Sequence, residues 1–341
     1  MFPRQRTACI IAAGLATLWA TAACGGSGQT SSSTSSTGAG LEKTHLTVGA
    51  LPIVDDAPLF LAMKNGYFKQ QGLTVTTEII PQSTLAIPDM LHGTVDIIGT
   101  GNYVSFFEGQ AKGAFSIKVL AAGSVCTRNN FSILALPSSG IKGPAGLAGK
   151  TIAVNLTNNI QTLMTNAELK ANGVNPASVK YVVVPFPNMA TALKAGRVDA
   201  ISVVEPFITG TERSDGAVPV MSECTGALAA FPLGGYFATA AWAAKYPHTA
   251  HAFQVAMGKA QAFANAHPAA VRAILPTYTK IPVAAAPHIN LGLFPPTMNA
   301  AQLQRVANLM LSGGLLTTRL DVQPLLFHCS ADERRGRPSR P

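Results

Sequence analysis

Asp55 and Asp56 stand side by side in Pro52-Ile53-Val54-Asp55-Asp56, between an apolar run and the start of a helix-like segment. Carboxylates there have two roles open to them: capping the helix, or accepting hydrogen bonds from a bound molecule. Asn102 has the same choice at the end of Thr100-Gly101-Asn102, read as a loop opening the next helix, and Gly101 lets a ligand approach the backbone. In residues 155–161 (NLTNNIQ), Thr157, Asn158 and Asn159 offer several donors and acceptors at another helix N-terminus. Glu205-Pro206-Phe207 follows a further apolar run. Pro206 suits a first helical position, which leaves Glu205 at the strand's end and Phe207 either to stack on a ligand or to pack in the core. These groups suit hydrogen-bonded recognition of a small molecule.

Reaction chemistry finds less support. The chain has no G-x-S-x-G and no ordered nucleophile, base and acid. Gly143-Pro144-Ala145-Gly146-Leu147-Ala148-Gly149-Lys150-Thr151 resembles a phosphate loop, but Pro144 occupies the first glycine position and the segment leads into a strand rather than out of one. It reads as a turn. His248 and His251 are three apart on a helix with no third ligand nearby, so they read as a solvated face. No metal and no cofactor is expected.

The elements that must position the polar groups alternate between short apolar runs and helical segments, the pattern of an α/β fold. Strands are expected at 46–51, 73–80 and 95–99, with helices at 58–64 and 84–91. The last arrangement recurs 103 residues later. His92-Gly93-Thr94-Val95-Asp96-Ile97-Ile98 is matched by Ala195-Gly196-Arg197-Val198-Asp199-Ala200-Ile201, each after a strand and a helix. A glycine cap, a short turn and an Asp opening a buried parallel strand, laid down twice, predict two similar lobes. A returning strand at 234–240 and helices at 248–267, 268–275 and 300–311 complete the chain. Lobe one is assigned to 44–126 plus 232–328 and lobe two to 127–231, with crossings near 123–131 and 222–236 as the hinge.

The 341 residues are 48% hydrophobic and 12% charged, a composition that excludes wholesale disorder. Arg4 and Arg6, an apolar stretch to about Ala20, and the small residues before Cys24 read as a signal peptide over 1–23. Thr21-Ala22-Ala23-Cys24 resembles a bacterial lipobox, which makes Cys24 the lipidation site and 24–43, rich in Gly, Ser and Thr, a flexible tether to the membrane. The location is therefore extracytoplasmic. The net charge of +9 concentrates in Arg4, Arg6, Arg334, Arg335, Arg337 and Arg340; taking these six away leaves +3, with no basic stripe for nucleic acid. The polar tail 329–341 is expected to be disordered. Cys126 and Cys224 fall in the two crossings, and a disulfide between them is an expectation in an oxidising compartment.

Over residues 45–328 the chain resembles the ABC-transporter solute-binding family of nitrate, sulfonate, taurine and thiamine-precursor receptors. The most specific segment is Gly66-Tyr67-Phe68-Lys69-Gln70-Gln71-Gly72-Leu73, close to the family's G-Y-F-K-x-x-G-L. Gly93-Thr94-Val95-Asp96, Leu147-Ala148-Gly149-Lys150-Thr151-Ile152-Ala153-Val154 and Ala192-Leu193-Lys194-Ala195-Gly196-Arg197-Val198-Asp199-Ala200 support it in order. The resemblance implies a type-II periplasmic-binding architecture, each lobe a mostly parallel sheet flanked by helices. It also implies a small-molecule ligand trapped by hinge closure, a monomer, and delivery to a permease with its ATPase. Thiamine-precursor synthases share this fold, but their cysteine-rich motif is absent here; a sensor without transport stays open. Because Asp55, Asp56 and Glu205 reach the rims and no Lys or Arg does, the ligand is expected to be neutral or amine-bearing rather than an anion.

Overall fold

In the computed structural model, which describes residues 40–329, the duplicated Gly-x-Val-Asp segments fold into the same junction. Gly93 and Gly196 each end a helix in the left-handed region, at φ +81° and +66°, where a residue without Cβ carries no penalty. Asp96 accepts a hydrogen bond from Thr47 N (2.9 Å), and Asp199 accepts one from Thr151 N (2.8 Å). Each Asp thus ties the start of the strand that follows it to a neighbouring parallel strand of its own lobe. The signal segment, Cys24 with most of the tether, and residues 330–341 lie outside the described residues.

The first lobe begins with β1 (His45–Ala50), α1 (Ala57–Lys64), α2 (Tyr67–Gln70), β2 (Thr74–Ile79), α3 (Ile87–His92), β3 (Ile97–Asn102), α4 (Tyr103–Ala111) and β4 (Ile117–Ala122). The second contains β5 (Phe131–Ala135), β6 (Thr151–Val154), α5 (Ile160–Ala171), β7 (Lys180–Val183), α6 (Phe186–Lys194), β8 (Ala200–Val204), α7 (Phe207–Asp215) and β9 (Val218–Ser222). The chain then returns through β10 (Gly234–Thr239), α8 (Ala240–Lys245), α9 (Pro247–Ala266), α10 (Pro268–Ile274) and α11 (Ala300–Ser312).

Two five-stranded sheets result, in the orders β2-β1-β3-β10-β4 and β7-β6-β8-β5-β9. In each, the first three strands are parallel and the fourth runs antiparallel to its neighbours. The orders are equivalent, each lobe receiving its antiparallel strand, β10 or β5, as the chain crosses between lobes. This is the expected two-lobed α/β architecture.

The crossings pack backbone against backbone. Gly123 N donates to Gly234 O (2.9 Å), Leu233 N to Ser124 O (3.0 Å) and Cys126 N to Phe231 O (2.9 Å). A Cβ on Gly234 would stand 2.7 Å from Thr100 O, so no side chain fits where the returning strand passes β3. Aromatic packing secures the same region: the Phe106 and Phe237 rings stack at 4.1 Å.

Three differences from the sequence expectations have physical causes. Thr100–Asn102 do not form a loop but extend β3, whose register with β10 runs to Asn102. Pro206 precedes α7 rather than opening it, and the Glu205–Pro206 peptide is cis. Cys126 and Cys224 are buried at the crossings but are free thiols. The expected disulfide is not formed: Cys126 Sγ donates to Leu228 O (3.2 Å) and Cys224 Sγ to Asn130 Oδ1 (3.5 Å). Burial and the neighbouring Cys126 push the Cys224 thiol well up. Among the described residues, no helix is long and apolar enough to cross a membrane.

Candidate ligand-binding site

Parallel strands end with free backbone groups and helix N-termini, and here the carboxyl ends of the two sheets face one cavity. From the first lobe come Leu51, Ile53 and Asp55 after β1, Ser83 after β2, and Thr100 and Asn102 at the end of β3. From the second come Asn155, Leu156, Asn159, Ile160 and Gln161 between β6 and the first turn of α5. Phe186 opens α6, and Val204 ends β8 with Phe131 opposite it on β5. Leu233, on the returning crossing, completes the wall. The open space between these residues, its mouth included, is about 490 Å³.

The two neighbouring aspartates do different work. Asp56 is fully buried and saturated: its carboxylate accepts from Leu51 N (2.7 Å), Thr100 Oγ1 (2.8 Å) and Tyr236 OH (3.3 Å). It fastens the loop after β1 to the end of β3 and lies behind the cavity. Burial pushes its carboxyl up to about 7, against the pull of Thr100 and Leu51 and with repulsion from Asp55 adding. Asp55 is 7% exposed and lines the cavity itself. Burial raises it to about 6, partly offset by the Ser124 hydroxyl.

Most of the remaining polar groups are held by the chain. Asn102 Oδ1 accepts from Ser105 N (2.9 Å), capping α4. Asn159 caps α5, accepting from Gln161 N (3.1 Å) and Thr162 N (3.2 Å). Gln161 Oε1 accepts from Asn155 N (2.6 Å), while its Nε2 donates to Ser202 O (2.7 Å). The two lobes are also bonded directly. Gln82 Nε2 donates to Asn155 O, and Val54 N donates to Glu205 O (3.1 Å).

Of the residues singled out in the sequence, the fold brings Asp55, Asn102 and Asn159 together on the cavity wall. Gly101 lies in β3 within the same rim, where a Cβ would stand 2.6 Å from the Phe106 ring. Thr157 and Asn158 face a separate hollow beside Tyr181 and Leu309, because Asn158 turns the backbone at φ +50°. Glu205 is an inter-lobe bond rather than a cavity group: its carboxylate accepts from Thr209 Oγ1 (2.8 Å), Thr209 N (3.1 Å), Asn290 N (3.0 Å) and Asn290 Nδ2 (3.2 Å). Burial raises its pKa against these four bonds. Phe207 stacks on Phe186 (5.5 Å, 13° between planes) and lines an outer groove; Phe186, missed in the sequence, is the ring on the cavity. Ser83 and Asn155 were also missed, although both sit just past a strand's carboxyl end, the rule that found Asp55.

A family described as NMT1/THI5 like matches residues 54–271, well over half of the chain. The chain belongs to the NMT1/THI5-like family. This NMT1/THI5-like protein also superposes on the alkanesulfonate-binding protein SsuA of Xanthomonas axonopodis pv. citri bound to MOPS. That match has a TM-score of 0.71 and 19% identity, covering 84% of this chain and 99% of SsuA. The periplasmic nitrate-binding protein NrtA of Synechocystis aligns with a TM-score of 0.68 and 16% identity, over 86% of this chain and 85% of its own. These likenesses share the type-II periplasmic-binding fold. Among curated relatives, the nitrate import ATP-binding protein NrtC of Synechocystis sp. is 27% identical over 188 residues, 50% of this chain. The bicarbonate transport ATP-binding protein CmpC of the same organism is 28% identical over 189 residues. The chain spans 28% and 27% of the lengths of these two proteins.

Proposed function

We propose that this NMT1/THI5-like protein is the solute-binding component of an ABC importer, capturing a small molecule between its lobes and releasing it unchanged when they part. The supporting observation is the cavity itself: both lobes supply its wall, its polar lining is one carboxylate, two hydroxyls and four carboxamides, and loops that bond lobe to lobe border it. Such groups bind and orient. Asp55 stands alone there: no cysteine, histidine or lysine lines the cavity to pair with it in a covalent or acid–base step.

On this reading the protein works outside the cytoplasm, as a monomer, held to the membrane by lipid on Cys24 through the 24–43 tether. Its partners are a permease and that permease's ATPase. SsuA, NrtA and the importer proteins NrtC and CmpC, whose names concern sulfonates, nitrate and bicarbonate transport, support the class of partner.

The test is mass spectrometry of compound released on unfolding the freshly purified protein, followed by return of that compound to stripped protein. A receptor binds it again and gives it back with its mass unaltered. Conversion to a product would overturn the receptor reading in favour of an enzyme.

A further inference from the structure

The cavity's charge is of one sign. Its only ionisable lining group is Asp55, and its lining includes no Lys, Arg or His. The donors that hold an anion at a helix start are taken: Gln161 N and Thr162 N by Asn159, and Ser105 N by Asn102. The Thr100 hydroxyl donates to Asp56, and Gln161 Nε2 to Ser202 O. A few uncharged donors stay unmatched, the Asn155 amide N–H groups and the Ser83 hydroxyl among them, and so do buried acceptors. Asn155, 4% exposed, keeps an Oδ1 with no partner, and the buried Asp55 carboxylate faces the same space.

An unpaired buried acceptor is costly, more so when charged, and that cost vanishes when a ligand brings the donor. A second carboxylate, nitrate or sulfonate placed here would meet Asp55 at short range and few free donors to offset it. The rest of the wall is apolar, with Phe131 and Phe186 rings and the Leu51, Ile53 and Ile160 side chains. The space between the lobes has room for only a few waters and suits a compact occupant.

Building on the receptor reading, we infer that the ligand is a compact nitrogen compound that turns N–H donors, as in a protonated amine, amidine or amino-substituted heterocycle, toward Asp55 and Asn155. Its carbon face then lies against Phe131 and Phe186. The nitrogen head replaces the water that Asp55 would otherwise hold, and the charge pair is formed in a dry site where it is worth most.

Isothermal titration of stripped full-length protein at pH 7.5 tests this, with acetamidine, ethylamine and 4-aminopyrimidine against nitrate, bicarbonate and methanesulfonate. At least one nitrogen probe should bind at least tenfold more tightly than every anion. Asp55→Asn should weaken that probe tenfold or more while leaving the weak anions unchanged or improved. Asn155→Leu, which leaves the charge in place, should weaken it by a smaller factor. The compound released from purified protein should carry a basic or N–H-bearing nitrogen, a measurement that needs no variant to fold. Tightest binding of nitrate, bicarbonate or methanesulfonate, or a released sulfonate without nitrogen, overturns the ligand class while the receptor stands. Binding of no probe, together with no released compound, overturns both.

Discussion

Replacing Glu223 with Gln should make the protein more stable, and increasingly so as pH rises. Glu223 is fully buried in the second lobe, its carboxylate accepting from the Thr165 hydroxyl and from Ser202 Oγ at 3.0 Å. Burial lifts it from an ordinary 4.5 to about 8; the two hydroxyls pull it down and Glu168 pushes it further up. A carboxyl raised in the folded state stabilises in full below its unfolded pKa, and the benefit is lost as pH climbs through the folded value, here from about 4.5 to 8. At about 1.4 kcal/mol per pH unit, this one group removes roughly 2–3 kcal/mol between pH 5 and 7. Gln keeps the shape and cannot ionise. Both hydroxyls can rotate to meet an amide. Urea unfolding followed by far-UV circular dichroism at pH 5, 6, 7 and 8 should show the variant's advantage widening by roughly 3–4 kcal/mol over that range. The wild type should decline more than the variant gains back, because Asp55 and Asp56 are raised in the same sense. An advantage independent of pH, or a variant less stable than wild type at pH 8, would refute burial as the source of the shift.

Glu205→Ala removes four bonds, two of them to Asn290 across the lobes, and leaves those donors bare. It should widen the particle in small-angle scattering and weaken the co-purifying ligand tenfold or more, about 1.4 kcal/mol; unchanged values in both would sink the inter-lobe role. Gly234→Ala places a Cβ 2.7 Å from Thr100 O and 2.9 Å from Gly101 O, both backbone, and should cost about 1–3 kcal/mol in urea unfolding. Asp96→Asn should cost about 2–4 kcal/mol and Asp199→Asn less than about 1. Asp96 is buried and also serves Lys43 Nζ (2.5 Å) and Trp242 Nε1 (2.8 Å), whereas the Asp199 side chain is 41% exposed with Lys150 at 3.9 Å. Equal losses in the two variants would contradict that account.

The duplicated plan was legible because its marks are local: a glycine that only a left-handed turn requires, and an Asp one strand-start later. Strands β4 and β5 were not. β5 is buried along its whole length and β4 nearly so; such strands carry no alternation to distinguish them from a helix segment. The site was legible where rank along the chain decides geometry. Asp55, Asn102 and Asn159 follow parallel strands, and that alone brings them to the cleft. Phe186 obeys the same rule after β7, but an aromatic at a helix start carries no polar signal to attract notice. Glu205 was found at a rim and given a ligand, whereas its partner Asn290 lies 85 residues away and only the fold joins them.

Closure and capture share their parts. Val54, which donates to Glu205 O across the lobes, is the residue before Asp55; Asn155, whose carbonyl accepts from Gln82, has its side chain on the cavity. The backbone that fixes one lobe on the other is the backbone that aims the ligand groups, so parting the lobes must also dismantle the site. These inter-lobe bonds are made by the chain itself, and they bear on how much of a ligand's binding energy closure consumes. If the closed form were populated one part in a hundred in the empty protein, apparent affinity would fall about a hundredfold below its intrinsic value. Strengthening the Glu205–Asn290 bonds would raise affinity, and at some point hinder release. Burial has weakened Glu205 as an ion, and two bonds to Asn290 hold it where two lobes can still let go.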